Sequence, residues 1–398
     1  MNLYNLLQTA AEKKASDIHL KVGNYPIMRI DGQLYPVESH KKLTAPGLEE
    51  LAYRILNDEQ RKSFETHREI DVAHSVSGLG RFRVNVYMQR GTVGLVFRVI
   101  PTKVATIREL LLPKVLENLA VLPRGLVLCT GSTGSGKTTT LASMVDHINA
   151  SKTVHIMTIE DPIEYLHQDK KSLVNQREVG CDTDSFAQAM RSALRQDPDV
   201  ILVGEMRDHA TVETALMAAE TGHLVLSTLH TTDAVETVNR VISFFEPHHQ
   251  HQVRIQLASV LRGVISQRLI PRSDGKGRVP AVEVMISTPT IRDCIINPTR
   301  TKYIIDAMKQ GIAQYGMQTF DQALFFLVKQ DLITYQDALE RCTNPDEFAM
   351  KFTGVQSTSD MAMEKLEETS MADYYDYSSE GQQGQLQNLI DWNQENGS

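Results

Sequence analysis

The sequence predicts an α/β protein in which a small α+β domain precedes a phosphate-binding core, and three observations support this class. Residues 131–138 read Gly-Ser-Thr-Gly-Ser-Gly-Lys-Thr, a complete G-x-x-x-x-G-K-[ST] phosphate loop. An apolar strand at 125–130 runs directly into this loop, and an apolar helical pattern follows it. From residue 124 to residue 288, apolar strands alternate with helical segments, as in a parallel sheet flanked by helices. The loop therefore lies in the strand–loop–helix setting that such a motif requires.

Residues 1–100 are predicted to form the small α+β domain around an antiparallel sheet. A helix at the start is indicated by the spacing of Leu3, Leu6, Leu7, Ala10 and Ala11. Asp31-Gly32 marks a tight hairpin turn. A helix is predicted at 48–56, and strands are predicted at 18–22, 27–30, 81–87 and 92–100.

The rest of the chain divides by composition. Residues 101–123 are predicted to be a linker with a connecting helix at 107–122, and residues 289–353 a helical part with one turn at 316–321. Residues 354–398 hold nine acids and one base, a net charge of −8 that equals the value for the whole chain. This segment is predicted to be an acidic disordered tail, in which 386–392 either folds on a partner as an amphipathic helix or stays solvated.

Composition argues against several classes of protein. Because residues 1–353 carry no net charge, the basic footprint of a nucleic-acid-binding protein is missing. No apolar run approaches the ~18 residues of a membrane span, and the first residues lack the basic start of a signal peptide. Four scattered cysteines without a C-x-x-C pair predict neither zinc nor disulfides, only small core residues in a cytoplasmic protein: Cys129, Cys181, Cys294 and Cys342.

The phosphate loop predicts binding of ATP or another nucleoside triphosphate with Mg²⁺. Its glycines let backbone N–H groups surround phosphate oxygens, and the helix N-terminus adds partial positive charge. Lys137 is expected to face solvent until it meets the β- and γ-phosphates, and the Thr138 hydroxyl to ligate Mg²⁺. The alternative is a chance glycine-rich turn. The residues expected to hold the nucleotide are Gly131, Ser132, Thr133, Gly134, Ser135, Gly136, Lys137, Thr138 and Thr139.

Carboxylates follow the next predicted strand, 154–159, in the sequence Glu160-Asp-Pro-Ile-Glu164. They are expected at the carboxyl edge of the sheet, where the phosphate loop also lies. One of them would orient the water that attacks the γ-phosphate, and another would support the Mg²⁺ shell. The alternative is a helix start, where acids interact favourably with the helix dipole.

Two further strands end in polar residues. Four apolar residues followed by Gly204 and Glu205 make a Walker-B-like strand with Glu where Asp is usual. Glu205 is expected to hold the metal through water or to polarise the nucleophile. Residues 221–230 form a strand that ends in His230, which is expected beside Glu205 and could sense the γ-phosphate. The alternative for His230 is a side chain that is merely satisfied by hydrogen bonds.

The segments 131–138, 158–164, 197–205 and 221–230 resemble, in this order, the Walker A, Asp, Walker B and His boxes of the secretion and type IV pilus ATPases. Residues 16–19 and 29–32 also resemble the N-terminal domain of that family. The resemblance covers about residues 1–352 and is strongest to the short PilT/PilU branch of pilus retraction ATPases. It implies a PAS-like N-terminal domain, a RecA-like ATPase core, and ATP hydrolysis that drives pilus retraction in twitching motility.

One segment departs from this branch. The retraction signature A-I-R-N-L-I-R-E is matched by residues 290–297, which keep Ile291, Arg292 and Ile295. The second arginine of the signature is replaced by Ile296 and its glutamate by Asn297. This change leaves nucleotide chemistry untouched but makes an accessory, PilU-like ring subunit the alternative to a principal retraction motor.

The resemblance also implies a homohexamer, alone or with a paralogous ATPase ring, bound to a pilus platform protein at the inner face of the cytoplasmic membrane. In the family, two arginines 15 residues apart reach the nucleotide of the neighbouring subunit, and Arg83 and Arg98 have this separation. Guanidinium groups suit the spread charge of transferring phosphate. The alternative is a pair of ordinary exposed arginines. A small-molecule P-loop kinase is disfavoured because no arginine-rich lid pattern follows residue 289.

Overall fold

The computed structural model describes residues 3–30 and 32–353, so the predicted turn residue Asp31 and the predicted acidic tail lie outside the described residues. The described chain forms two compact units. The first comprises residues 3–103 together with 163–166, and the second comprises 104–162 together with 167–353. Each unit combines a sheet with helices, which confirms the predicted α/β class.

The first unit is a six-stranded antiparallel sheet with three helices. The helices are α1 (Leu3–Glu12), α2 (Ala45–Ile55) and α3 (Asp58–His67). The strands are β1 (Asp17–Leu20), β2 (Ile27–Ile30), β3 (Gln33–Pro36), β4 (Glu69–Val76), β5 (Gly80–Gln89) and β6 (Thr92–Val99). They are ordered β3-β2-β1-β6-β5-β4 across the sheet.

Alternating side chains give this sheet one apolar face. On β5, Phe82, Val84 and Val86 are fully buried, while the residues between them point to the opposite face. Helix α2 packs against β6 and contributes Leu48 and Leu51 to the same core. The first unit therefore has its own hydrophobic core.

The second unit holds the remaining elements. Its strands are β7 (Gly125–Thr130), β8 (His155–Glu160), β9 (Leu173–Glu178), β10 (Val200–Val203), β11 (Leu224–Leu229), β12 (Leu261–Pro271) and β13 (Arg278–Ile286). Its helices of eight or more residues are α5 (Lys137–Ser151), α6 (Phe186–Ala193), α7 (His209–Glu220), α8 (Ala234–Ser243), α9 (Gln250–Val260), α10 (Pro289–Ile296), α13 (Phe320–Lys329) and α15 (Pro345–Thr353). Shorter helical segments are α4 (Val115–Ala120), a 3₁₀ turn (Thr301–Tyr303), α11 (Ile304–Gln310), α12 (Ile312–Tyr315) and α14 (Tyr335–Leu339).

The sheet of the second unit is ordered β13-β12-β7-β11-β10-β8-β9. All neighbouring pairs are parallel except β12 and β13, which are antiparallel. Strands β7, β10 and β11 are buried along their whole length, as expected for a parallel sheet covered on both faces. Because β7, β11, β10 and β8 are parallel neighbours, the segments that follow them emerge in that order along one edge.

Two predictions about the fold are wrong. The helix predicted over 107–122 is reduced to α4, and residues 107–111 form turns instead. Leu111 has a left-handed backbone (φ 55°), and Pro113 lacks an N–H and disfavours a helical conformation at the residue before it. Cys181 is exposed in a turn after β9, whereas Cys129 and Cys294 are buried as predicted.

Among the described residues, no helix combines the length and the apolar character that crossing a lipid bilayer demands.

Candidate nucleotide-binding site

The phosphate loop joins the buried strand β7 to the helix α5, as the motif predicts. Gly131 has φ 142° and Gly136 has φ 89°, conformations that side-chain-bearing residues rarely adopt. Gly136 forms the N-cap of α5, so the first N–H groups of a 15-residue helix point toward the loop. This arrangement supplies backbone donors and the positive end of a helix dipole to an anion.

The ammonium of Lys137 turns back onto its own loop. Lys137 is 8% exposed, and its Nζ donates to the carbonyl oxygens of Gly131 and Ser132 at 2.9 Å each. The prediction that Lys137 faces solvent is therefore wrong. The loop curls so that carbonyls at its start become acceptors, and a buried ammonium without such partners would be costly.

The two threonines after Lys137 lie in the first turn of α5. Thr138 and Thr139 are each half-buried, in contrast to Thr140, which is 1% exposed. The predicted nucleotide-contacting side chains at 138 and 139 thus remain at the surface of the loop. The residues predicted to hold the nucleotide therefore lie together in the loop between β7 and α5 and in the first turn of α5.

Glu160 is the last residue of β8 and is buried. Its Oε1 accepts the hydroxyl of Thr158 at 2.6 Å and the side-chain amide of Gln176 at 3.1 Å. Gln176 lies on the neighbouring strand β9, opposite Thr158. Two hydrogen bonds from adjacent strands therefore fix the direction of this carboxylate at the predicted edge of the sheet.

The turn after β10 is fastened to β11. The Ser227 hydroxyl donates to the carbonyl of Val203 at 2.8 Å, and the Thr228 hydroxyl donates to the carbonyl of Gly204 at 2.7 Å. The N–H of Met206 donates to the carbonyl of Thr228 at 3.1 Å. These bonds hold the backbone on both sides of Glu205.

Glu205 and His230 come together as predicted. The Nε2 of His230 lies 3.4 Å from Oε2 of Glu205, at the ends of the neighbouring strands β11 and β10. Burial lowers the pKa of His230, and the positive charges of Lys137 and Arg207 lower it further. The imidazole is therefore held toward its neutral form, while the charge of Lys137 is close enough to act on it.

Arg207 is a member of this cluster that the sequence did not single out. It forms an ion pair with Glu205, two residues earlier. No sequence pattern separates such an arginine from an ordinary exposed one. The position two residues after the Walker-B-like glutamate was the available signal.

Glu164, Arg83 and Arg98 belong to the first unit. Glu164 is exposed within 163–166, the segment that packs with that unit. Arg83 on β5 and Arg98 on β6 are directly opposite each other in the antiparallel register, so both side chains project from the same face. Their roles in catalysis stay predictions.

Each of these arginines has an acidic partner. Arg98 Nε donates to the buried Asp17 at 3.0 Å, and an Nη atom of Arg83 lies 3.6 Å from Asp71. Both guanidinium groups remain substantially exposed, with 66% of the side chain accessible for Arg98 and 42% for Arg83. The pair is thus oriented by carboxylates yet open at its outer end.

Comparison with known proteins agrees with this geometry. The family described as "Type II/IV secretion system protein" matches residues 2–319. The chain belongs to this family. It is 48% identical over 352 residues to the type IV pilus retractation ATPase PilT of Pseudomonas aeruginosa, an alignment that covers 87% of this chain and 100% of PilT.

A second relative and a solved structure agree with this placement. The chain is 42% identical over 361 residues to the type IV pilus ATPase PilU of Pseudomonas aeruginosa, covering 90% of this chain and 94% of PilU. The crystal structure of the pilus retraction motor PilT with bound ADP matches with a TM-score of 0.80 at 47% identity, covering 87% of this chain and 98% of that one. The resemblance drawn from the four boxes is therefore confirmed.

Proposed function

We propose that this protein is a motor ATPase that couples ATP hydrolysis to retraction of a type IV pilus, and so to twitching motility. The observation that carries the proposal is the common edge of the second unit, where the phosphate loop, His230, Glu205 and Glu160 follow four adjacent parallel strands. A chain 48% identical to a PilT supplies the biological setting.

The roles proposed for the residues follow from their chemistry. The loop N–H groups and Lys137 bind the phosphates, and the Lys137 ammonium exchanges carbonyl partners for phosphate oxygens. The Thr138 hydroxyl and the carboxylates of Glu160 and Glu205 are hard oxygen donors of the kind that Mg²⁺ prefers. Mg²⁺ held by these oxygens would neutralise negative charge that develops on the phosphates during hydrolysis.

Hydrolysis needs an oriented water and a group that responds to the γ-phosphate. We assign the water to Glu164, whose carboxylate acts as a general base. His230 is held toward its neutral form beside Glu205, so it can donate one hydrogen bond to a phosphate oxygen or accept one from water. Its contact with Glu205 puts the His230 ring next to one of the carboxylates that we propose to hold Mg²⁺.

The active assembly in this proposal is a homohexamer. Arg83 and Arg98 project from one face of an antiparallel sheet and are exposed at their outer ends. Two neighbouring guanidinium groups of this kind can reach the nucleotide of an adjacent subunit and stabilise the charge of the transition state. The ring would act on a pilus platform protein at the inner face of the cytoplasmic membrane.

A second candidate is an accessory ring subunit that assists a principal retraction ATPase. Two observations favour it. The chain is 42% identical to a PilU over 90% of its length. Within α10, Ile296 is 36% exposed where the retraction signature carries an arginine.

A retraction assay separates these candidates. Pilus retraction is recorded in a strain that lacks the protein, and again after complementation with the wild type or with Lys137→Ala. Loss of retraction that only the wild type restores supports a principal motor. Retraction that persists until the catalytic lysine of a paralogous ATPase is also replaced supports the accessory role. A purified protein without ATPase activity, and a deletion without effect in either background, would refute the proposal.

A further inference from the structure

The strand next to the phosphate loop carries a buried amide that contacts it. Gln267 lies on β12, is 3% exposed, and follows Ser266, which is opposite Thr130 in the parallel pairing of β12 with β7. The hydroxyl of Thr130 donates to that of Ser266 at 2.9 Å. One residue further along, the hydroxyl of Thr140 in α5 donates to Oε1 of Gln267 at 2.7 Å.

Gln267 also sets the two outer glycines of the motif. A Cβ atom on Gly131 would lie 2.4 Å from the backbone oxygen of Gln267, and a Cβ atom on Gly136 would lie 2.8 Å from its Nε2. Real Cβ atoms essentially never approach this closely, so a side chain at either position would displace the Gln267 carbonyl or its amide. Gln267 therefore packs against both ends of the loop. Its backbone carbonyl lies against the first glycine, Gly131, and its side-chain amide lies against the last, Gly136.

The inner glycine of the loop provides a contrast. A Cβ atom on Gly134 would meet no atom within 4 Å, although its φ of 77° still favours glycine. The close packing is thus restricted to the two ends, where the loop leaves β7 and enters α5. These two ends determine the distance between the carbonyl groups that hold Lys137 and the N-terminus of α5.

We infer that Gln267 is a positioning residue for nucleotide binding, which fixes the span of the phosphate loop through Thr140 and the two outer glycines. Its contacts are with Thr140 and with the loop itself. With the amide held by Thr140, the loop is kept in its anion-binding shape before nucleotide arrives, so that ordering costs little at the moment of binding. The inference rests on the proposed nucleotide binding and extends it to a residue outside the four boxes.

The test measures affinity for a fluorescent ADP analogue in the full-length protein. Thr140→Val and Gln267→Leu each remove the hydrogen bond with little change in volume, and both are expected to weaken binding about 10-fold, the scale of one buried hydrogen bond. Thr140→Ser keeps the hydroxyl and should bind like the wild type. The double variant should bind no more weakly than the weaker single variant, because both changes break the same contact.

The outcomes are distinct. Wild-type affinity in Thr140→Val and Gln267→Leu, even with a lowered Tm, would show a purely structural role and overturn the inference. If Gln267→Leu fails to fold, the comparison of Thr140→Val with Thr140→Ser decides. A wild-type protein that does not bind the ADP analogue would instead refute the proposed function, which separates the two failures.

Discussion

Lys137 has two sets of partners to satisfy, its own loop carbonyls and the phosphates of a bound nucleotide. Lys137→Ala removes the ammonium that donates to the carbonyls of Gly131 and Ser132. We expect ATP turnover to fall at least ~100-fold, since the ammonium that meets the transferring phosphate is lost. Two charge-assisted bonds of about 1.5–3 kcal/mol each are lost, but the buried ammonium and its desolvation cost are removed with them, so the protein should still fold.

Steady-state ATPase assays and thermal melts check this expectation, with Lys171→Ala as the matched control because Lys171 is exposed on the second unit. A Lys137→Ala variant that turns over ATP at the wild-type rate would refute the assignment of the phosphate loop.

The three candidate acids are distinguished by their surroundings. Glu164 is exposed. The carboxylate of Glu160 is held by hydrogen bonds from Thr158 and Gln176. The carboxylate of Glu205 contacts His230 and Arg207. If Glu164 orients the attacking water, Glu164→Gln should bind ATP normally and lose most turnover, because the geometry survives and the basicity does not. Glu160→Gln and Glu205→Gln should instead change the Mg²⁺ concentration that activity requires.

Nucleotide affinity and Mg²⁺ titrations of the ATPase rate distinguish these effects. An equal loss of nucleotide affinity in all three variants would contradict this division of roles.

At the scale of elements, the sequence predicted strongly patterned segments and missed weakly patterned ones. The continuous apolar runs of β7, β10 and β11 gave the core sheet and the edge that carries the boxes. Strand β3 is exposed at every position, so no alternation marked it. Helix α3 buries only Phe64, and its available signal was a capping box in which Asn57 and Gln60 exchange hydrogen bonds.

The details of the candidate site depended on tertiary structure. The closeness of His230 to Glu205 could be anticipated, because each follows a predicted strand of the sheet, whereas the strand order itself could not. The inward turn of Lys137 and the pairing of Arg207 with Glu205 could not, since each depends on how a loop closes in three dimensions. Gln267 lay outside every motif, and only the packing of β12 against the loop identified it.

Glu283 joins three elements and gives a pH-dependent prediction. It is buried on β13 and accepts the N–H of Ala234 at the start of α8 at 2.8 Å. Burial raises the pKa of Glu283 to about 7, and the negative charge of Asp233 adds to this shift. Hydrogen bonds from the N–H groups of Ala234 and Phe320, together with the positive charge of Arg268, oppose it. The folded protein therefore keeps a proton that the unfolded chain releases above its ordinary value of 4.5.

The direction of this pH dependence follows from the coupling between proton binding and folding. Because the folded pKa is the higher one, the contribution of Glu283 is full below pH ~4.5 and is lost as the pH rises through ~7, by about 3 kcal/mol in total. Glu283→Gln cannot titrate, so the Tm of this variant relative to the wild type should rise between pH 4.5 and pH 8. Melts of both proteins, with the exposed Glu50→Gln as the control, measure this difference. A constant difference between the two Tm values would contradict the expectation.

At the scale of the whole molecule, the proposed chemistry is divided between two compact units. The phosphate loop, Glu205 and His230 belong to the second unit, whereas Arg83, Arg98 and Glu164 belong to the first. A site completed by a neighbouring subunit would make hydrolysis depend on the state of the interface between subunits, and closure around ATP would then move one subunit relative to the next. Such coupling is what a ring-shaped motor requires.

Mixing two defective proteins tests whether the arginines act on a neighbour. Arg83→Ala/Arg98→Ala subunits retain their own phosphate loop, and Lys137→Ala subunits retain both arginines. If the arginines act in trans, each protein alone should be inactive, and a mixed ring should regain activity at every interface where a Lys137→Ala subunit faces the intact phosphate loop of the other kind. Arginines that act within their own chain, or that only form surface ion pairs with Asp17 and Asp71, cannot restore activity in this way.

The rescue has a predicted size and a necessary control. With random mixing in equal amounts, about a quarter of the interfaces combine an intact loop with intact arginines. If the sites act independently, and if the guanidinium groups supply their usual ~10³–10⁵ in rate, activity should recover to at most about a quarter of the wild-type value. Subunit exchange must first be established by light scattering or by energy transfer between labelled subunits. A freely exchanging mixture that remains inactive would return Arg83 and Arg98 to a structural role, because the only arrangement that rebuilds a complete site from these two chains would then be excluded.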